Sequence, residues 1–61
     1  MDIMAIRLRT LREKMGISQA KLAKEIGVTQ ASVNRYETAR VTPPAEVLLF
    51  YADRFDVSLD Y

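Results

Sequence analysis

Two glycines, each followed two residues later by a hydroxyl residue, divide the first half of this sequence into short segments. Gly16 precedes Ser18, and Gly27 precedes Thr29. Glycine commonly stands just past the C-terminus of a helix, and serine and threonine are preferred caps at the start of the next one. The pattern therefore predicts short helices joined by tight turns.

Apolar residues recur at helical spacing within these segments. The first helix is predicted at about Asp2 to Lys14, the second at Ser18 to Ile26, and the third at Thr29 to Glu37. Thr42-Pro43-Pro44 opens a fourth helix, because proline is tolerated in a first turn, and Ser58 caps a fifth that the chain does not finish. The residues predicted to face inward are Met4, Leu8, Leu11, Met15, Leu22, Ala23, Ile26, Val33, Tyr36, Leu48, Tyr51, Ala52 and Phe55.

The 61 residues include neither cysteine nor histidine. Disulfides, zinc sites and histidine-dependent catalytic centres are therefore excluded, and closely packed helices are the remaining way to stabilise so short a chain. We expect an all-α fold, a compact bundle of five short helices with the fifth truncated, forming a single domain over residues 1–61. We expect no enzyme activity, cofactor, metal or small-molecule ligand.

We expect neither a membrane-spanning nor a secretory segment in this sequence. No apolar run approaches the roughly 20 residues of a membrane span, and the first residues do not resemble a secretory signal. The expected location is the cytoplasm.

Charge is unevenly distributed along the chain. Residues 7–40 contain eight basic and three acidic side chains, a net charge of +5, whereas residues 41–61 contain one basic and four acidic side chains, a net charge of −3. This asymmetry favours a polyanion as partner of one side of the protein. A solvated, lysine-rich helix surface is the alternative explanation.

The second and third predicted helices are separated by only a short connection at Gly27-Val28. Such a turn makes two helices cross steeply, at roughly 90–120°, and the small Ala23 allows them to approach closely. The outer face of the third helix then carries residues that are small or able to form hydrogen bonds, namely Gln30, Ala31, Ser32, Asn34 and Arg35.

These residues resemble a known family. Gln19, Leu22-Ala23, Gly27-Val28, Gln30, Val33 and Tyr36-Glu37 match the helix-turn-helix of the phage repressor and Cro family, the bacterial regulators also called xenobiotic-response-element-like. The similarity extends to Leu11-Arg12 and to residues 56–61. It implies a lambda-repressor-like fold of five helices and binding of operator-like double-stranded DNA, usually as a dimer, in transcription regulation, most often as a repressor.

The resemblance also assigns roles to individual positions. It implies base readout in the major groove by Gln30, Ala31, Ser32, Asn34 and Arg35. It implies phosphate contacts by Gln19, Thr29, Thr38 and Arg40. Gln19 is also expected to brace Gln30. Arg12 and Glu37 match a structural ion pair that ties the first helix to the end of the third.

One departure from the family pattern concerns the loop after the third helix. The family often has glycine at the position of Ala39. A left-handed alanine costs about 1 kcal/mol or more, so the sequence does not fix the geometry of this loop or the reach of Arg40.

Self-association and an alternative function remain as hypotheses. At about 100° per residue, Phe50 is predicted to point away from the inward stripe of the fourth helix, which suggests a homodimer contact. The alternative function is a protein–protein interaction module on the same fold that does not bind DNA. That module would be indicated by an acidic or apolar outer face on the third helix, whereas the sequence places polar residues and an arginine there.

Overall fold

A computed structural model describes residues 3–56 of the chain, and these residues form four helices. They are α1 (Ile3–Lys14), α2 (Gln19–Ile26), α3 (Gln30–Glu37) and α4 (Ala45–Phe55). The all-α prediction is confirmed for this range, which contains no strand. The predicted fifth helix and its cap Ser58 lie outside the described residues, as does Asp2, the predicted start of the first helix.

The helix ends follow the predicted capping pattern. The Ser18 hydroxyl accepts a hydrogen bond from the Lys21 backbone N–H at 3.0 Å, and the Thr29 hydroxyl accepts one from Ser32 N–H at 3.1 Å. Gly27 ends α2 in the left-handed conformation, with a φ of +88°. A residue with a side chain would be strained there, so this glycine fixes the point at which the chain turns from α2 into α3.

The core lies where α1, α2 and α4 meet the inner face of α3. Its fully buried large side chains are Leu8, Leu22, Val33 and Tyr51. Met15, predicted to face inward, is instead half exposed. The reason is that α1 ends at Lys14 and Gly16 adopts a left-handed conformation, so Met15 belongs to the turn and does not continue the apolar stripe.

The orientation of α4 differs from the prediction. Val47 and Tyr51 are buried, Phe50 is half-buried against the core, and Leu49 is 69% exposed. Val47 is not among the residues predicted to face inward. At about 100° per residue, a stripe centred on Val47 and Tyr51 puts Leu49 on the opposite side and Phe50 at the margin. The prediction that Phe50 faces outward is therefore wrong, and Phe50 no longer supports a dimer contact.

The loop after α3 keeps the left-handed turn despite the missing glycine. Ala39 has a φ of +63°, and the Arg40 N–H donates to the Arg35 carbonyl at 2.9 Å. This bond pattern closes a helix C-terminus and normally uses glycine at the left-handed position. Ala39 is therefore a strained residue that sets the start of the segment carrying Arg40.

No helix within residues 3–56 is both long enough and apolar enough to cross a membrane.

We expect Ala39→Gly to stabilise the protein. The substitution removes a left-handed penalty of about 1–2 kcal/mol and adds unfolded-chain entropy equivalent to about 0.4–1 kcal/mol, so the net gain lies between about 0 and 1.6 kcal/mol. Urea unfolding would measure it. Ala20→Gly, at an exposed position within α2, is the control and should destabilise the protein. A loss of stability in both variants would show that Ala39 is not strained.

Tyr51 provides a second stability prediction. Its ring is fully buried, and its hydroxyl has no hydrogen-bond partner among the described residues. An unsatisfied buried polar group costs about 1–3 kcal/mol, so Tyr51→Phe should raise the unfolding free energy by about 1 kcal/mol at pH 7.

The same substitution should change the response to alkaline pH. Burial, with a smaller contribution from the Glu37 carboxylate, raises the pKa of the Tyr51 phenol above its ordinary value of about 10. The unfolded chain therefore releases this proton first, and the wild type should lose stability as the pH rises above about 10. The difference in unfolding free energy between Tyr51→Phe and the wild type should therefore increase above about pH 10. Equal losses of stability in both proteins would contradict a raised pKa of Tyr51 in the folded state.

Candidate nucleic-acid interface

The outer face of α3 and the residues beside it form an open concavity of about 450 Å³. Each of its six lining residues is among the nine for which a DNA contact is expected. Four are exposed residues of α3, one is the first residue of α2, and one follows the left-handed turn after α3. The lining residues are Gln19, Gln30, Ala31, Asn34, Arg35 and Arg40.

Three residues with an expected DNA contact do not line this concavity. Thr29 and Ser32 form the N-terminal cap of α3, in which the Thr29 hydroxyl also donates to the Ser32 hydroxyl at 3.0 Å. Thr38 closes the other end of the helix by donating its hydroxyl hydrogen to the Asn34 carbonyl at 2.8 Å. These hydroxyls therefore serve the helix ends in the free protein.

A buried ion pair lies behind the recognition face, the surface formed by the six residues that line the concavity. Arg12 Nε donates to Glu37 Oε2 at 2.7 Å and Arg12 Nη2 donates to Glu37 Oε1 at 3.0 Å. The Glu37 side chain is only 1% exposed and that of Arg12 12% exposed. The hydrogen bond to Glu37 raises the pKa of the Arg12 guanidinium. The pair joins α1 to the C-terminus of α3.

The ion pair also reaches the second helix and the turn before it. Arg12 Nη1 donates to the Ile17 carbonyl at 2.8 Å, and Gln19 Nε2 donates to Glu37 Oε1 at 3.1 Å. Three donors from two helices thus converge on one carboxylate. This satisfies the charge of Glu37 within the protein and leaves the carboxylate facing inward.

Gln19 has hydrogen-bond partners that were not expected from the sequence. Within the described residues, its amide bonds to Glu37 and to Asn34, whose Nδ2 lies 3.5 Å from Gln19 Oε1, and not to Gln30 as expected. These residues lie 18 and 15 positions away from Gln19 in the chain, so their contact depends on how α2 crosses α3. No local sequence signal could have revealed it.

The charge within the concavity is positive. Neither Arg35 nor Arg40 has an ion-pair partner among residues 3–56, whereas the ion pairs found there join Arg9 to Glu13, Arg12 to Glu37 and Arg54 to Glu25. Because Arg12 pairs with Glu37, that carboxylate does not offset the charge of these two cations. The two arginines in the lining make the concavity suited to an anion. Within residues 3–56, no group of three or more acidic side chains could hold a metal ion.

Removal of the buried carboxylate should be far more damaging than removal of an exposed one. We expect Glu37→Ala to lower the unfolding free energy by about 3–5 kcal/mol, because it leaves the Arg12 charge uncompensated. Glu13→Ala, which breaks the exposed pair with Arg9, should cost less than about 1 kcal/mol. Urea unfolding of both variants is the measurement. Similar small losses would mean that the Arg12–Glu37 pair is solvated.

The sequence pattern of the helix-turn-helix family matches residues 8–61 of this chain. Among similar proteins, the HTH-type transcriptional regulator YobD of Bacillus subtilis is 38% identical over 90% of this chain and 49% of its own length. The repressor protein C2 of Salmonella phage P22 is 34% identical over 98% of this chain and 28% of its own length. The chain thus spans about half the length of YobD and 28% of the length of the P22 repressor.

A solved structure has the same architecture. In the crystal structure of the P22 c2 repressor in complex with a synthetic operator, the repressor chain aligns with 100% of this chain over 92% of its own length. The TM-score is 0.87 and the sequence identity is 33%. The family pattern, the relatives and the shared fold agree with the resemblance that the residues themselves indicate. The chain belongs to the helix-turn-helix family of the phage repressor and Cro type.

Proposed function

We propose that this protein binds double-stranded DNA in a sequence-specific manner, with α3 in the major groove, and regulates transcription as a repressor. The observation that carries the proposal is the concavity on α3. Its lining combines exposed amides, a small residue and two cations without an ion-pair partner in residues 3–56. Amide and guanidinium groups are the side chains that most often read base edges.

The polarity of this face argues against the alternative of a protein-interaction module. Among the exposed outer residues of α3 within the concavity, none is acidic and none is a large hydrophobe. Apolar or acidic anchors would be expected for the alternative. The crystal structure of the P22 c2 repressor, which shares the fold, contains operator DNA, and this supports the same kind of partner for the present chain.

Within the proposal, the residues divide into three groups by their chemistry. Gln30 and Asn34 have amides that can pair with the N6 and N7 groups of adenine, and Arg35 can pair with O6 and N7 of guanine. Ala31 is small enough to contact a thymine methyl group. Arg40 and Gln19 lie at the edge, where phosphate contacts would fix the register of the helix. Thr29, Ser32 and Thr38 would contact DNA only while keeping their cap bonds.

The proposal also includes features beyond the α3 face. Residues 1–61 would form one DNA-binding domain of a cytoplasmic protein that is not an enzyme. Two copies would bind a two-fold site with half-sites about one helical turn apart. Sedimentation of the protein on DNA carrying both half-sites tests the pairing, and a single copy on such DNA would contradict it.

Selection of bound duplexes from a random DNA pool tests the function directly. A preferred sequence should emerge, and its symmetry and spacing should report whether two copies bind together. Recovery of an unenriched pool would overturn sequence-specific binding. The selected duplex then serves as the cognate site in the experiments that follow.

Gln30→Ala should weaken binding to the selected site by about five- to 150-fold, which corresponds to the 1–3 kcal/mol of a good bidentate base contact. Binding to random DNA should change little. Lys24→Ala, an exposed residue of α2 outside the concavity, is the control and should leave the ratio of the two affinities unchanged. An equal loss on both DNAs would assign Gln30 to the DNA backbone.

Arg40→Ala, in contrast to Gln30→Ala, should weaken binding to the selected site and to random DNA equally. A phosphate contact releases counterions, so its removal should weaken binding to all sequences alike and lower the slope of log affinity against log salt by about one. The titration is made at several salt concentrations, with Lys24→Ala again as the control. An unchanged slope would place Arg40 away from the phosphates.

A further inference from the structure

A chain of hydrogen bonds connects the buried carboxylate of Glu37 to the exposed amide of Asn34. Gln19 Nε2 donates to Glu37 Oε1 at 3.1 Å, and Asn34 Nδ2 lies 3.5 Å from Gln19 Oε1, at the long limit of a hydrogen bond. Arg12 donates to both Glu37 oxygens from the other side. This series of hydrogen bonds begins at the buried Glu37 and ends at Asn34 on the proposed recognition face.

The direction of these hydrogen bonds is fixed by the chemistry of Glu37, the buried carboxylate at which they begin. Arg12 keeps Glu37 paired with a positive charge, and an ionised carboxylate can only accept hydrogen bonds. Gln19 must therefore present its nitrogen to Glu37. Because an amide carries its nitrogen and oxygen on opposite sides, the oxygen of Gln19 then faces Asn34.

The same reasoning applies to the next amide. Gln19 offers Asn34 an acceptor, so Asn34 must turn its nitrogen toward Gln19 and its oxygen away. One N–H of Asn34 is then used within the protein, and the oxygen and the second N–H remain for a ligand. If the amide were reversed, two oxygens would face each other and the exposed pattern of donor and acceptor would be inverted.

We propose that Glu37 is a positioning residue that sets, through Gln19, the hydrogen-bond polarity of Asn34, and thereby makes Asn34 select adenine. This inference rests on the proposed DNA binding by α3. Adenine presents an amino donor beside an acceptor nitrogen in the major groove, whereas guanine presents two acceptors. An outward oxygen on Asn34 pairs with the amino group of adenine and opposes O6 of guanine.

The test compares base preference at a single position of the selected site. In the wild type, affinity for adenine should exceed that for guanine by about five- to 150-fold at the position that Asn34 contacts. Asn34→Ala identifies this position, because it abolishes the preference there and nowhere else. If Asn34→Ala leaves every base preference intact while Gln30→Ala removes one, the inference is overturned and DNA binding stands.

Gln19→Met is the deciding variant, because methionine has a similar length without an amide and leaves the Arg12–Glu37 pair intact. It should lower the ratio of adenine to guanine affinity toward one, and it should have no further effect on this ratio in the Asn34→Ala background. Loss of a phosphate contact by Gln19 would weaken all sequences equally and cancel in the ratio. An unchanged ratio in Gln19→Met overturns the inference.

Two further measurements separate this inference from the function it rests on. Lys24→Met, at an exposed position of α2 outside the network, should leave the ratio unchanged. In the DNA-free protein, NMR should show one downfield-shifted side-chain amide proton of Asn34 that moves upfield in Gln19→Met. Absence of that shift in the wild type overturns the hydrogen-bond chain whether or not DNA binds, whereas an unenriched random pool would overturn the function itself.

Discussion

The buried ion pair between Arg12 and Glu37 holds three helices in one arrangement. Arg12 projects from α1, Glu37 is the last residue of α3, and the carboxylate also accepts from Gln19 at the start of α2. Such a pair contributes little when compared with a well-packed apolar contact, but loss of one partner is strongly unfavourable. Its main effect is therefore to exclude other packings of three short helices, because their remaining contacts are mostly apolar and non-directional, apart from the Gln19–Asn34 hydrogen bond.

This arrangement explains how so short a chain can expose a polar helix face. A domain of this size buries only about 60% of the surface of its unfolded chain, so it has few residues with which to build a core. In α3 the inward side supplies Val33, Tyr36 and the buried Glu37. The outward side of the same helix is then free to carry amides and arginine, because none of these is needed for packing.

One strained residue borders the recognition face. Ala39 is left-handed at the end of α3, and the backbone N–H of the next residue, Arg40, donates a hydrogen bond to the Arg35 carbonyl in the last turn of α3. The strain is tolerated because two hydrogen bonds to the Arg35 carbonyl close the helix end at this point. The placement of a cation beside α3 thus depends on a backbone conformation that alanine adopts at a cost.

Much of the fold could be predicted from the chain alone, because its signals are local. Ser18, Gly27 and Thr29 act on backbone groups within a few residues, so the ends of α2 and the start of α3 follow from residue type. The inner face of α3 likewise follows from the spacing of Val33 and Tyr36. The orientation of α4 did not follow, since several apolar residues at adjacent positions allow more than one stripe, and only packing against the core selects Val47 and Tyr51.

The candidate site likewise has some features that the sequence determines and others that only the tertiary structure decides. The residue types of the recognition face and its outward direction are determined by the sequence, because helical periodicity places Gln30, Asn34 and Arg35 opposite the apolar side. Only the tertiary structure decides which of them meet Gln19 and Arg40, and in which direction the amides of Gln19 and Asn34 point. The contacts of Gln19 join residues 15 or more positions apart, and their geometry arises from the crossing of whole helices, which no single segment of the chain specifies.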